Sequence, residues 1–299
     1  MSPTTATTTA PTTATTGATA PDVPTRRISF RDGLGDLPQH FANDDLVTSH
    51  FLAAMSALFP DGEDFFVRSV RHYRDRIDDP ALRRDVAGFI GQESMHGREH
   101  RALNERLAEL GYPTRRISRM VRTNLRIRSR IARPISNLAL TAALEHFTAT
   151  LAEQALTDPA AFDLPGDSVV RDLFAWHALE ESEHKAVAFD VYRAVGGGER
   201  LRIMTMKGAR IGFAVVTSLH VVTSLLGDRR TYRRGELRRS WRRFRSGPVL
   251  RREVWDVLCE YDRPGFHPDD RDHSELIAYW RSHMFGPDGA LNERLIGAA

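Results

Sequence analysis

A single cysteine, Cys259, leaves no partner for an internal disulfide in a chain of 299 residues. It is compatible with a reducing cytosol and says little more about compartment. Strand signals are almost missing too. No alternating Val/Ile/Thr run is bounded by an Asn-Gly or Asp-Gly turn, which argues against a sheet. Nor is there an uninterrupted apolar run of the roughly 20 residues that cross a bilayer. The nearest approach, 211–226, is shorter and carries His220 near its middle. No basic start and apolar run open the chain, so no secretion signal is read and a cytoplasmic location is expected. Residues 1–25, nearly all Thr, Ala and Pro, then read as a disordered tail rather than a glycosylated stalk. No solenoid period recurs, and the metalloprotease spacing His-Glu-x-x-His is lacking.

What the chain does have is helix signals. An apolar fraction of 41% suits a globular protein, and a net charge of +3 conceals arginine crowded into 229–252. A first helix is expected over 44–58, breaking at Pro60-Asp61-Gly62 and resuming over 61–77. The second starts at Asp79-Pro80, an N-cap followed by proline at the first helical position, and ends at Gly111. The third covers 136–157 and the fourth 168–196. Four long helices before residue 200 point to an all-α four-helix bundle.

Each helix carries an apolar seam at spacings of three and four, interrupted at mid-height by acids or histidines. On the second helix, Val86 and Phe89 lead to Glu93, His96 and His100, then to Leu103 and Leu107. On the fourth, Val170 and Phe174 lead to His177, Glu181 and His184, then to Ala188 and Val191. Glu145 interrupts the third seam and Glu63 opens the first. A purely structural bundle is not written this way.

The organisation expected is a tail at 1–25, a metal-binding bundle at 40–200 and a helical extension at 201–299 packed on it. Within the extension, 211–226 reads as a helix buried against the bundle, and 231–262 as two basic helices. A last helix is expected over 269–283. The sharper reading of 211–226 is an element for a membrane surface or a hydrophobic substrate, helped by the arginines after it. Nucleic acid is disfavoured, since only Trp241 and Phe244 interleave those arginines.

A dinuclear carboxylate site in a helical bundle takes one Glu from each of two helices and Glu-x-x-His from each of the other two. Residues three apart project from one face, so a carboxylate can bridge while the imidazole caps one ion. Glu93-Ser94-Met95-His96 and Glu181-Ser182-Glu183-His184 supply the pairs, and Glu63 and Glu145 the single acids. A Glu at a helix start, as Glu63 is in this reading, ordinarily serves the helix dipole. Four carboxylates buried on seams without a cation would each face a desolvation penalty of several kcal/mol, however, and the seams carry no arginine to offset it. His177, one turn before Glu181, is a seventh ligand or a core histidine, and His100 a base behind the site. His146, Glu180 and Glu183 lie off the seams and are read as non-ligands.

With these residues in view, 40–265 resembles a bacterial ferritin-like family described as predicted metal-dependent hydrolases. The motifs Gln92-Glu93-x-x-His96, Ala143-Leu144-Glu145-His146 and Trp176-His177-x-x-Glu180-Glu181-x-Glu183-His184 carry that likeness. The order Glu63, Glu93, His96, Glu145, His177, Glu181, His184 is also similar to that of the di-iron p-aminobenzoate N-oxygenases, in which a histidine is the seventh ligand. The second likeness implies O2 activation and oxidation of an organic substrate: oxygenation, hydroxylation or desaturation. Two iron ions are expected, with manganese or a mixed pair fitting next and zinc less well. Ala142, Ala149 and Ala152 leave room beside the site for O2 or a small, hydrophobic substrate. An electron donor would be required. A two-metal hydrolase and a non-catalytic ferritin-like metal-binding protein are the alternatives. A homodimer and peripheral membrane contact are compatible with the sequence, which marks no interface.

Overall fold

The computed structural model describes residues 23–297. They are all-helical: α1 (Leu46–Arg71), α2 (Pro80–Glu109), α3 (Thr114–Ile131), α4 (Pro134–Thr157), α5 (Pro159–Phe162), α6 (Val169–His184), α7 (Val187–Ala194), α8 (Glu199–Leu226), α9 (Glu236–Arg245), α10 (Arg252–Glu260) and α11 (Ser274–Phe285). The one β contact among them is the isolated pairing of Ile28 with Leu295, which clasps the two ends of the described chain.

Two apolar clusters sit at opposite ends of α1, α2, α4 and the α6–α7 pair. One gathers Leu52, Leu103, Leu107, Leu156, Val170 and Trp176. The other gathers Phe66, Val70, Val86, Phe89, Leu138 and Val191. Chain direction follows from this, because α1 and α6 run from the first cluster toward the second while α2 and α4 run the other way. The polar interruptions of all four seams therefore meet in one layer between two apolar ones. Alternate helix directions are what bring them to the same height.

Several expectations need correction. Pro60 does not break the first helix; α1 runs through it from an Asp45 N-cap whose side chain accepts from the Thr48 N–H. A proline inside a helix leaves the carbonyl four residues back without its donor, here that of Ser56. Asn104 Nδ2 of α2 donates to that carbonyl at 2.9 Å and replaces the missing bond. Sequence periodicity holds no trace of a donor 48 residues away.

The expected helix over 168–196 is two, since Lys185 and Ala186 form a turn between α6 and α7. The Lys185 ammonium donates to the Arg271 carbonyl, tying that turn to the C-terminal segment. Helix α3 had not been anticipated. It is rich in arginine, and it packs through a narrow stripe in which Ile117 is buried and Val121 and Leu125 are partly buried against the apolar clusters.

Helix α8 starts at Glu199 and is 28 residues long, where a shorter buried segment had been expected. Only part of it is covered: Ile211 is 66% and Leu219 59% exposed. Among the described residues it is the one helix long and apolar enough to cross a membrane by length and composition, with 33% of its most apolar stretch buried. Farther on, residue 231 falls in a short 3-10 turn, Arg229–Tyr232, ahead of α9.

Residues 1–22 of the expected tail lie outside the described residues. Val23, Pro24 and Thr25 do not behave as tail, because they lie against α2 where Gly88 and Gly91 make room. A Cβ on Gly88 would stand 2.1 Å from the Val23 carbonyl oxygen, and one on Gly91 1.9 Å from Thr25 Oγ1. Only glycine permits that approach.

Candidate metal centre

Because α1 is unbroken, Glu63 sits in a helix interior and not at a helix start, so it has no dipole to serve there. It points into the layer where Glu93 and His96 of α2, Glu145 of α4, and His177, Glu181 and His184 of α6 also end. All seven are 4% exposed or less. Their donor atoms fall into two groups, Glu63 with His96 and His177, and Glu93 with Glu181 and His184, each spanning no more than 4.8 Å. Glu181 Oε1 lies between the groups, 2.9 Å from His177 Nε2, 3.7 Å from His184 Nε2 and 3.8 Å from His96 Nδ1. Glu145 joins the second group, its Oε2 3.3 Å from His184 Nε2.

The hydrogen bonds show what these atoms lack. Both carboxylate oxygens of Glu63, Glu93 and Glu145, Oε2 of Glu181, Nδ1 of His96 and Nε2 of His184 are buried without a hydrogen-bond partner. Nine such atoms in one place are costly, since buried polar groups are almost always paired. They are also mainly oxygen donors with imidazole, a set suited to iron or manganese. The residues present therefore fit two divalent ions, whose four positive charges four carboxylates would balance.

The far side of each imidazole is held. His96 Nε2 donates to Glu180 Oε2 at 3.0 Å, and His184 Nδ1 donates to Gln92 Oε1 at 2.8 Å. Gln92 cannot flip, because its Nε2 donates to Glu183 Oε2 at 2.7 Å and to the Pro24 carbonyl at 3.0 Å. His177 Nδ1 lies 2.8 Å from His100 Nε2. Each imidazole thus turns its other nitrogen to the centre, as metal-binding histidines do when one ring nitrogen is engaged; that of His177 bonds Glu181 Oε1 at 2.9 Å.

The direction of the last bond can be derived. Asn104 must present its amide nitrogen to the Ser56 carbonyl, so its Oδ1 faces Ser56 Oγ and accepts that hydroxyl proton at 2.8 Å. Having spent its one proton, Ser56 Oγ must accept from His100 Nδ1, 2.9 Å away. A neutral His100 then has a bare Nε2, so the proton between the two rings belongs to His177 Nδ1. His100 is indeed neutral: burial, then His177, hold its pKa well below the usual imidazole value.

The charges follow from the same crowding. Burial, and then Glu93, push the Glu63 and Glu145 carboxyls well above the usual range. Burial also raises Glu181, but His184 and His177 outweigh it and hold that carboxyl well below. Burial would lower His184, yet Glu181, Glu145 and Glu93 together hold it well above its ordinary value. These carboxylates attract positive charge to the centre.

Residues that sequence reasoning set aside or missed form the layer behind. Arg26 lies 2.8 Å from Glu180 and 2.7 Å from Glu183, both of them buried. Burial pushes the Glu180 carboxyl up to about 8 against the pull of Arg26. Neither Ser56 nor Arg26 carries a local signal, since each acts through a partner remote in sequence. His146 points elsewhere, to the Val257 carbonyl at 3.2 Å.

A third group, His40, His50 and Asp228, is spaced for a cation. There both Nε2 atoms bond Asp228 Oδ2, at 2.8 and 3.0 Å, so the carboxylate is satisfied by protons and no atom is orphaned. An apolar cavity of about 120 Å³ reaches His177 and Glu181. Of the three alanines expected to leave space, Ala152 lines it and Ala142 and Ala149 are packed in the core.

No curated protein and no solved structure matches the chain. The family described as "predicted metal-dependent hydrolase" matches residues 24–272, a span that takes in Arg26 and every residue of the centre. The chain belongs to that family of predicted metal-dependent hydrolases.

Proposed function

We propose that the protein is a di-iron enzyme that uses O2 to oxidise an apolar organic substrate. The observation that supports this most directly is the set of nine orphaned donor atoms, oxygen-rich and contributed by six residues on four helices. Two iron ions held by Glu63, Glu93, His96, Glu145, His177, Glu181 and His184 would supply the redox chemistry with O2. In a hydroxylation one oxygen atom ends in the substrate and the other leaves as water, with two electrons and two protons from an external reductant.

The chain's own residues do the rest. Glu180, Gln92 and His100 aim the three imidazoles. Phe59, whose ring centroid is 4.8 Å from those of His100 and His177, Trp176 beside His96 and Phe89 beside His184 keep bulk water from the centre. Exclusion of water strengthens every charge interaction inside it. Glu180, which accepts from Arg26 at Oε1 and from His96 at Oε2, holds the His96 proton on the nitrogen that faces away from the centre.

The family description favours a second reading, hydrolysis at a dinuclear site. One experiment separates them. Metal-stripped protein is given Fe(II) without oxygen, and bound iron and later O2 uptake are measured. The expected result is two irons per chain and O2 consumption that depends on them. Tight zinc binding with ester cleavage indifferent to O2 would establish the hydrolase instead.

A further inference from the structure

The cavity beside His177 and Glu181 does not stand alone. Next to it lies a larger groove of about 1150 Å³ among α1, α4, α8, α9 and α10. The two share three wall residues, Phe51, Leu151 and Val249, so these side chains form the partition between them. The groove is the size of sites that enclose whole ligands, and it is lined by Phe213, Val221, Leu225, Trp241, Phe244 and Trp255.

Its rim has the opposite character. Arg233, Arg238, Arg251 and Arg252 border it. Arg251 pairs with Asp158, and Arg252 lies 3.6 Å from Asp256. Arg233 and Arg238 have no carboxylate within ion-pair distance among the described residues. Thr217 on the floor is buried, and its hydroxyl is likewise without a partner. An apolar trough with unpaired guanidinium groups at its edge complements an amphipathic anion, and the guanidinium fork matches a carboxylate. A polymethylene chain is narrow enough to pass three side chains that change only their rotamers, which they do rapidly. A fused ring system would have to displace helix backbone.

We infer that the groove takes a long-chain acyl carboxylate, its head at Arg233 and Arg238 and its methyl end past Phe51, Leu151 and Val249 to His177 and Glu181. This substrate class rests on reading the seven residues as the metal centre, but the binding itself needs no metal.

Two measurements test it. In the first, the metal-stripped full chain is loaded with cis-parinaric acid, and saturated acids of 8 to 16 carbons displace it. Affinity should rise about fourfold per added methylene, from transfer of each CH2 out of water, and R233A/R238A should weaken palmitate at least tenfold while leaving hexadecanol within twofold. In the second, the chain is loaded with Mn(II) and given palmitate labelled with carbon-13 at its methyl end or next to its carboxyl. The methyl end should relax several times faster, and Val249→Phe should abolish that difference without preventing binding.

Absence of displacement by any acid overturns the proposal, as does faster relaxation at the carboxyl end. Binding to phosphatidylglycerol vesicles without displacement by palmitate would assign the groove to a lipid surface and overturn it too. Failure to bind Mn(II), with acid binding intact, would count against the metal reading and leave the groove assigned.

Discussion

His100 Nε2 and His177 Nδ1 share one proton across 2.8 Å, and the direction of that bond is set four links away, at Pro60. The proline frees the Ser56 carbonyl, the carbonyl orients Asn104, Asn104 takes the Ser56 hydroxyl proton, and Ser56 takes that of His100. A helix-breaking residue in α1 thereby fixes which nitrogen His177 presents to the centre.

Replacing His100 should disturb that arrangement without touching a donor atom. His100→Phe is expected to lower metal affinity about 10- to 100-fold, as losing the support behind a ligand does. His100→Gln, which keeps an acceptor, should retain most of it. Titration of metal-stripped protein with Fe(II) or Mn(II) measures both; equal affinity in wild type and His100→Phe would refute the relay.

Asn104→Ala leaves the Ser56 carbonyl buried and unpaired and should cost about 1–3 kcal/mol in urea unfolding. In a Pro60→Ala background the residue-60 N–H can reach that carbonyl. The same substitution should then cost less than about 1 kcal/mol. Equal costs in the two backgrounds would show that Asn104 does not replace the helical bond.

The centre should oppose folding when it holds no cation. Glu145 has its pKa raised by burial and then by Glu93, so the unfolded chain loses this proton more readily as pH rises. Metal-stripped protein should lose stability on going from about pH 5 to 7. Glu145→Gln should remove part of that loss, raising stability at pH 7 on the order of 1–3 kcal/mol while weakening metal binding. A fall in thermal midpoint for the stripped variant would contradict this account.

Glu153 supplies the opposite sign. Burial raises its carboxyl, but His273 and Arg271 prevail and hold it at about 2, against an ordinary 4.5. This ion pair joins α4 to the C-terminal segment, with Arg271 at 2.7 Å. Its contribution is present above pH 4.5 and is lost as pH falls toward 2. Allowing for partial exposure, Glu153→Gln should cost about 1–2 kcal/mol at pH 7 and much less at pH 3, read from urea midpoints at both.

Gly91→Ala forces a methyl group into Thr25. The strand-like segment from residue 23 should lift, release Arg26 from Glu183 and open the bonds after Arg26 and Arg27 to trypsin. Stability should fall by about 1–3 kcal/mol, the usual cost of overpacking. Unchanged cleavage would mean that the segment is not held there.

The sequence by itself determined the helical class, the N-cap at Asp79, and the acids and histidines that interrupt four apolar seams. These are local patterns, written in spacings of three and four, and the burial of a carboxylate is implied once its neighbours on the stripe are apolar. The sequence could not show that Pro60 is tolerated, because the compensating donor, Asn104, comes from another helix. Nor could it show the pairing of Arg26 with Glu180, 154 residues away. Tertiary structure decided those points, and with them the orientation of every imidazole. Ligand types follow from residue identity and periodicity, whereas the proton each ligand carries depends on partners that only folding brings within 3 Å.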